Sequence, residues 1–363
     1  MANISYKCPT CGAEIFWTAA ENCFHCEYCD DKFSLEELTA AMENQKADAL
    51  TEENVQKHEE LEEGEYTQSN DGTVGNNLVK YTCSHCGSEI ITDRSTAATV
   101  CVYCGNSVVM GEQIINDFAP QYIIPFKVPK DKCMSSFAAF AKKPLTPKSF
   151  DVNSIVDKLQ GVYIPFWLYS GTCHGNIKCE CYDERTWTQG SYEYTEKKYY
   201  DVLRDGALSF EKVPVDGSSK TENDAMDSIE PFDFSEMKPF NAGYLSGYLA
   251  ERYDEDKEKC YPRAQERIEN TTKDALVSTC KYDHVNVNVY NKNTKIEKVE
   301  YAMLPTWLFY TTYEEKPYFF AMNGQTGKFI GNLPIDKIKL TIYSLLGAVG
   351  GGVLGALIGG ILK

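Results

Sequence analysis

Cysteine spacing near the start of the chain constrains the fold more than any other feature. Cys8 and Cys11 are followed, after 14 residues, by Cys26 and Cys29; Cys83 and Cys86 are followed, after 14 residues, by Cys101 and Cys104. The copies align at a constant offset of 75, "YKCPTCGAEI" with "YTCSHCGSEI" and "CEYC" with "CVYC". Two thiolate pairs at this spacing suit one tetrahedral Zn²⁺ held between two knuckles, as in a zinc ribbon. The sequence therefore predicts two structural zinc ions. Four thiolates leave the metal no open position for water or substrate, so its role is folding; each ribbon is too small to bury a sufficient core alone. Gly12 and Gly87 follow the first knuckles, where a tight turn calls for positive φ. Cys23, His25 and His85 lie nearby as alternative ligands, but the shell is complete without them.

Charge narrows the partners. Lys and Arg number 36 against 53 Asp and Glu, a net charge of −17. The first ribbon carries Lys7 and Lys32 against Glu14, Glu21, Glu27, Asp30 and Asp31; the second balances Lys80 and Arg94 against Glu89 and Asp93. Neither is the basic patch that phosphate backbones require, which argues against nucleic acid as the partner. The opening "MANISYKCPTCG" has no apolar signal-peptide core. Eight of the 15 cysteines are assigned to metal, and the remaining odd number does not suit a disulfide framework. Thiolate ligands fit a reducing, cytoplasmic setting.

Residues 340–362, "LTIYSLLGAVGGGVLGALIGGIL", form an uncharged run of 23 residues, enough to cross a hydrocarbon core of roughly 30 Å as a helix. Lys337 and Lys339 before it, against Lys363 after it, favour an N-terminus-in orientation. The expectation is a tail anchor over 337–363 in contact with membrane lipid, single-pass in the cytoplasmic membrane, with the N-terminal bulk in the cytoplasm. Gly347, Gly351, Gly355 and Gly359 form a small-residue stripe suited to self-association.

Between the ends, residues 1–33 and 80–110 are the ribbons, and 34–79 an acidic helix and linker. Ser34 and Glu37 make a capping box. Residues 114–334 form a body rich in Tyr, Phe and Val with turn signals between short runs, the pattern of antiparallel strands. "YIPFWLY" (163–169) is echoed by "MLPTWLFY" (303–310), suggesting two related subdomains with Trp167 and Trp307 as core anchors. Helices are expected over 130–143 and 151–161 and, long or broken, over 242–280; 213–240 reads as a long polar connection. In "TCHGNIKCEC", Cys173, Ile177, Cys179 and Cys181 share one strand face and His174 the other; the thiols read as small hydrophobes, with a third metal site left open. The fold class is α+β: two four-cysteine zinc ribbons, a β-rich antiparallel body with an internal repeat and helices, and one C-terminal transmembrane helix.

Catalytic signatures are missing. "GGGVLG" lies inside the apolar run, and "NGQTGK" (323–328) lacks the P-loop spacing and reads as a hairpin turn. Arg204 with Asp205, and Asp216 with Ser218 and Ser219, have adequate turn and capping roles.

Paired ribbons followed by "IPFWLY", "DSIEPFDF", "YLSGYLAERYD", "NGQTGK" and a glycine-rich tail resemble bacterial tail-anchored double zinc-ribbon membrane proteins, often labelled TFIIB-type zinc ribbon or primosomal helicase-like. The group is similar to the zinc-ribbon partner found with phage-shock-protein-A-like and SPFH-domain proteins in membrane-stress operons. The resemblance implies a non-enzymatic adaptor that recruits membrane-stress proteins at the cytoplasmic face of the membrane. The alternative is a nucleic-acid-binding accessory protein of replication or transcription. Only the eight zinc cysteines and the tail carry over residue by residue.

Overall fold

The computed structural model describes residues 3–4, 7–41, 78–82, 89–93, 96–100, 107–110, 119–150 and 159–345. After β1 (Asn3–Ile4), the first ribbon supplies β2 (Phe16–Thr18), β3 (Cys23–His25) and β4 (Lys32–Phe33), a small antiparallel sheet of its own. The stretch that carries the second cysteine set gives β5 (Leu78–Thr82) paired with β6 (Glu89–Asp93), then β7 (Thr96–Val100) paired with β8 (Ser107–Met110). The body adds β9 (Tyr122–Ile123), helix α1 (Lys130–Ala141), β10 (Gln160–Gln189), β11 (Tyr192–Asp216), helix α2 (Asn223–Ser228), β12 (Lys238–Pro239) and β13 (Leu249–Glu251). Helix α3 (Lys257–Ser278), β14 (His284–Tyr313), β15 (Lys316–Asn323) and β16 (Phe329–Gly331) follow.

One 11-stranded sheet runs β1-β8-β7-β13-β10-β14-β15-β16, with β11 on β10 and with β9 joined to β14 and β12. The echoed segments lie side by side in it: β10 and β14 pair antiparallel, Trp167 opposite Tyr301 and Gly161 opposite Trp307. From residue 162 to 168 every β10 side chain is buried, so a near-continuous apolar run replaces alternation. Tyr163, Trp167, Tyr169, Met303 and Trp307 enter one core; Ile164, Phe166, Leu168, Ala302 and Leu304 enter the other. Cys133, Phe137 and Ala141 of α1 join the first core, and Met226 of α2 joins the second with Ile229 and Phe232.

Beyond Tyr169, strands β11, β10 and β14 continue as a three-stranded arm. Burial there returns to period 2: Cys173, Ile177, Cys179 and Cys181 are buried, while His174, Lys178 and Glu180 face solvent. Helix α3 lies on the buried face, its Leu276 packing with Ile177, Cys179, Cys181, Val202 and Cys280. Asp256 caps it by accepting from the Lys259 N–H at 2.7 Å.

Several expectations change. The body is mixed, not purely antiparallel, because β10–β13 and β14–β9 run parallel. The expected helix over 242–280 starts only at Lys257; before it lie a 3₁₀ turn (Ala242–Leu245), Gly247 at φ +86° and β13. Residues 160 and 161 of the expected helix 151–161 belong to β10, and 151–158 lie outside the described residues.

The C-terminal transmembrane helix is also corrected. Among the described residues no helix is long and apolar enough to cross a membrane. The helix over 337–345 begins at Asp336, which accepts from the N–H groups of Ile338 and Lys339, and Lys339 is tied to the Thr146 carbonyl at 2.6 Å. Residues 346–363, with the glycine stripe, lie outside the described residues. The single-pass placement in the cytoplasmic membrane loses its support with the span.

Candidate metal centre

Both knuckles of the first ribbon are built by backbone hydrogen bonds around a left-handed residue. In the first, the Cys8 N–H donates to Ala13 at 2.7 Å and the Gly12 N–H to Cys8 at 2.9 Å, with Gly12 at φ +75°. In the second, the Cys26 N–H donates to Asp31 at 2.9 Å and the Asp30 N–H to Cys26 at 2.8 Å, with Asp30 at φ +64°. Asn and Asp are the non-glycine residues that tolerate this conformation best.

The turns bring four sulfurs together. Cys8 and Cys29 Sγ lie 3.5 Å apart, as do Cys11 and Cys26 Sγ, and all four fall within 4.8 Å of one another. A tetrahedron with Zn–S near 2.3 Å has S–S edges of about 3.8 Å, so the donor set fits zinc. Among the described residues it is the only grouping of three or more His, Cys, Asp or Glu side chains placed to hold a metal. Burial raises the Cys26 thiol, but hydrogen bonds from the Cys29 and Tyr28 backbone outweigh it and bring the group down to about 7. Metal binding requires the thiolate.

Two of the alternative ligands have other partners, and His85 lies outside the described residues. The His25 ring bonds Asp30 at 2.7 Å, and the Cys23 thiol faces Glu21 at 3.8 Å. Cys179 and Cys181 pack with Leu276 of α3, Cys173 accepts from the Thr294 hydroxyl at 3.4 Å, and none of the three is part of the metal grouping. Cys83, Cys86, Cys101 and Cys104 lie outside the described residues, so the structure shows one ion's site and not a second.

The ribbon is built into the body. The Trp17 ring meets Phe24 at 5.3 Å and Tyr244 at 4.9 Å, both edge-on. Ile15, Trp17, Phe24, Cys26 and Leu38 belong to the same core as Phe126, Tyr163 and Trp307. Ser34 and Glu37 then close the expected capping box: Glu37 Oε2 accepts from the Ser34 N–H at 2.7 Å and Ser34 Oγ from the Glu37 N–H at 3.2 Å. The solvent side of the second knuckle carries Tyr28, 86% exposed.

The polar residues singled out in the sequence are separated by their partners. Asp216, fully buried, pairs with Arg263 at 2.7 Å, and Asp227 bridges Arg263 at 2.5 Å to Arg267 at 3.2 Å. Arg267 also holds Glu230 at 2.8 Å. Burial raises the carboxyls of Asp216 and Glu230 against the pull of these arginines. Ser218 donates to Glu251 at 3.0 Å, Ser219 Oγ to Asp254 at 2.5 Å, and Arg204 to Thr279 at 3.1 Å, while Asp205 is held by His174 and Asn176. A cleft of about 670 Å³ opens beside Glu251, lined by Gln160, Lys220, Thr221, Leu249 and Tyr310. "NGQTGK" fastens a loop: Asn323 Nδ2 donates to the carbonyls of Ile229 and Pro231, and the Gln325 amide bonds the Asp233 backbone twice.

A four-cysteine cluster compatible with a zinc ribbon, fused to a sheet covered on both faces, defines a β-rich protein with a candidate structural metal site. The chain belongs to the family of the Bacillus subtilis (strain 168) protein YdjG, itself described as uncharacterized. The two are 31% identical over 317 residues, covering 73% of this chain and 93% of the relative. No family model matches the chain, and no solved structure matches it.

Proposed function

We propose that this protein is a non-enzymatic zinc-ribbon adaptor, which organises protein-binding surfaces and performs no reaction of its own. The observation that carries the reading is the placement of Tyr28. It projects from a knuckle that zinc would rigidify, on a ribbon that Trp17 anchors to the body core. Exposed tyrosines on rigid supports are favoured anchors at protein interfaces, and a metal closed by four thiolates serves structure, not turnover. The second cysteine set, Cys83, Cys86, Cys101 and Cys104, binds a second structural zinc in this reading, on the strength of its identical spacing. Phage-shock-protein-A-like and SPFH-domain proteins are the partners to test first, through the resemblance of the sequence.

The test is co-purification from cells of the full-length chain and its Tyr28→Ala variant, with protein, nucleic acid and zinc quantified in each eluate. The adaptor reading expects one of those partners in near-stoichiometric yield with the parent chain, its loss with the variant, and equal zinc in both. Equal recovery with both chains, no protein partner, or nuclease-sensitive material as the main companion overturns it; the last outcome reinstates nucleic-acid binding.

A further inference from the structure

We infer that β11 is a self-recognition edge, through which two copies of this chain pair antiparallel across a two-fold axis at Tyr199. Among the described residues β11 pairs only with β10, so one side of this long strand is unmatched. Edge strands are ordinarily blunted by prolines, bulges or charges that repel a newcomer. From Tyr192 to Phe210 this strand contains no proline and its register with β10 is unbroken; it does carry charges, but of both signs, Lys197 and Lys198 among Glu193, Glu196 and Asp201, so they repel some registers and favour others.

The hairpin fixes which backbone groups face outward. Gly190 has φ +67° and Ser191 does not have a positive φ, the signature of a two-residue turn of type II′. The closing pair, Gln189 and Tyr192, then bonds inward. Alternation along an antiparallel ladder turns the N–H and C=O groups of Glu193, Thr195, Lys197, Tyr199, Asp201 and Leu203 to the free edge. A second β11 related by a two-fold at Tyr199 meets these groups with the same residues in reverse order, so the backbone pattern is self-complementary.

The side chains select that register. Along the β10–β11 ladder, Lys197 pairs with Glu184 at 3.0 Å, Lys198 stands opposite Asp183, and Glu196 opposite Arg185. Asp201 breaks the pattern, because it stands opposite Glu180, and no ion pair is found for it among the described residues. Like charges directly opposed across a sheet are destabilising. With Tyr199 on the axis, Lys197 of each copy lies opposite Asp201 of the other. The same register sets Thr195 against the exposed Leu203 and Tyr194 against Arg204. Glu193 falls opposite Asp205, whose carboxylate is already held by His174 at 3.1 Å and Asn176 at 3.0 Å. The product is a continuous sheet made from the three arm strands of each copy.

This assembly is independent of the metal site and of the adaptor's partner. Sedimentation of the full-length chain over a concentration series tests it, with Lys197→Asp, Asp201→Lys and the double variant compared. Lys197 and Asp201 are both exposed, but Lys197→Asp also removes the ion pair with Glu184 inside the hairpin, so the unfolding midpoint of each variant is measured beside its sedimentation and a change in association counts only where the midpoint is kept. The expected result is a monomer–dimer equilibrium, weakened by about tenfold or more in either single variant and restored in the double. A monomer at every concentration overturns the inference. So does a dimer indifferent to both single variants, and a dimer that the double variant fails to restore excludes this register.

Discussion

The indole N–H of Trp17 donates to the carbonyl oxygen of Phe126 at 3.3 Å, across 109 residues of sequence. Phe126 in turn stacks on Tyr248 at 4.0 Å and meets Trp307 edge-on at 5.2 Å. The ribbon and the central sheet therefore share one apolar core, and loss of either is felt by the other. Trp17→Ala is expected to cost about 3–5 kcal/mol, read as a lower denaturant midpoint for the whole chain.

Metal removal should act along the same route. Chelation is expected to lower the unfolding midpoint of the body, because Cys26 and its neighbours are part of that core. Cys26→Ser should bind one zinc fewer than the parent, measured by metal analysis of the purified protein.

Asp216 gives the stability a pH dependence of known sign. Burial raises its carboxyl above the ordinary 3.8 despite the Arg263 guanidinium. The folded chain thus holds this proton more tightly than the unfolded one. The group's contribution is fully present below 3.8 and is lost as pH rises through the folded value. Asp216→Asn should remove that slope, so that its stability relative to the parent improves as pH rises above the ordinary carboxyl value of 3.8. Arg263→Ala leaves the buried carboxylate without its arginine and is expected to cost about 3–5 kcal/mol at neutral pH. Urea unfolding at a series of pH values measures both.

Gly171 lies where the β10 ladders shift register, and there the strand backbones come too close for a side chain. A Cβ at this position would fall 2.2 Å from the Lys295 carbonyl oxygen and 2.9 Å from the Ile296 Cα. The obstructing atoms are backbone, which cannot rotate away. Gly171→Ala should destabilise the protein by about 1–3 kcal/mol, with faster amide exchange at the base of the arm.

The buried side chain of Asn323 makes four hydrogen bonds: two donated to the carbonyls of Ile229 and Pro231, and two accepted from the N–H groups of Gln325 and Thr326 at 2.9 Å. Asn323→Ala leaves these groups without partners and should cost at least about 2 kcal/mol. Limited proteolysis should then cut first within 229–236.

The features legible in the sequence were those with a short period. The Cys8 to Cys29 spacing, the Ser34–Glu37 cap and the alternation around Cys179 are each local, and each has its counterpart in the structure. Longer-range relations were not legible. The segment 213–240 reads as polar, yet it places Ala225, Met226, Ile229 and Phe232 in the second core, because a few apolar residues suffice once Asn323 and Gln325 hold the intervening backbone. The helix expected over 242–280 carried a plausible apolar pattern, but Gly247 at positive φ and the Asp256 cap set its start later. The docking of Trp17 left no signal, since no pattern in residues 1–33 names Phe126 or Tyr244. The apolar run at 340–362 is read from its length, its composition and the lysines before it; the Asp336 cap and the tie from Lys339 to the Thr146 carbonyl, 193 residues apart in sequence, leave no signal there.

The shared core also sets an order of events during synthesis. The four cysteines from Cys8 to Cys29 leave the ribosome first, while Phe126 and Tyr244, which cover Trp17, are still to be made. Cysteines so placed could take up a metal at once, but Trp17 stays uncovered until Tyr244 has been translated. Early metal loading holds β2 and β3 in register through that interval and gives the later sheet a preformed surface on which to close.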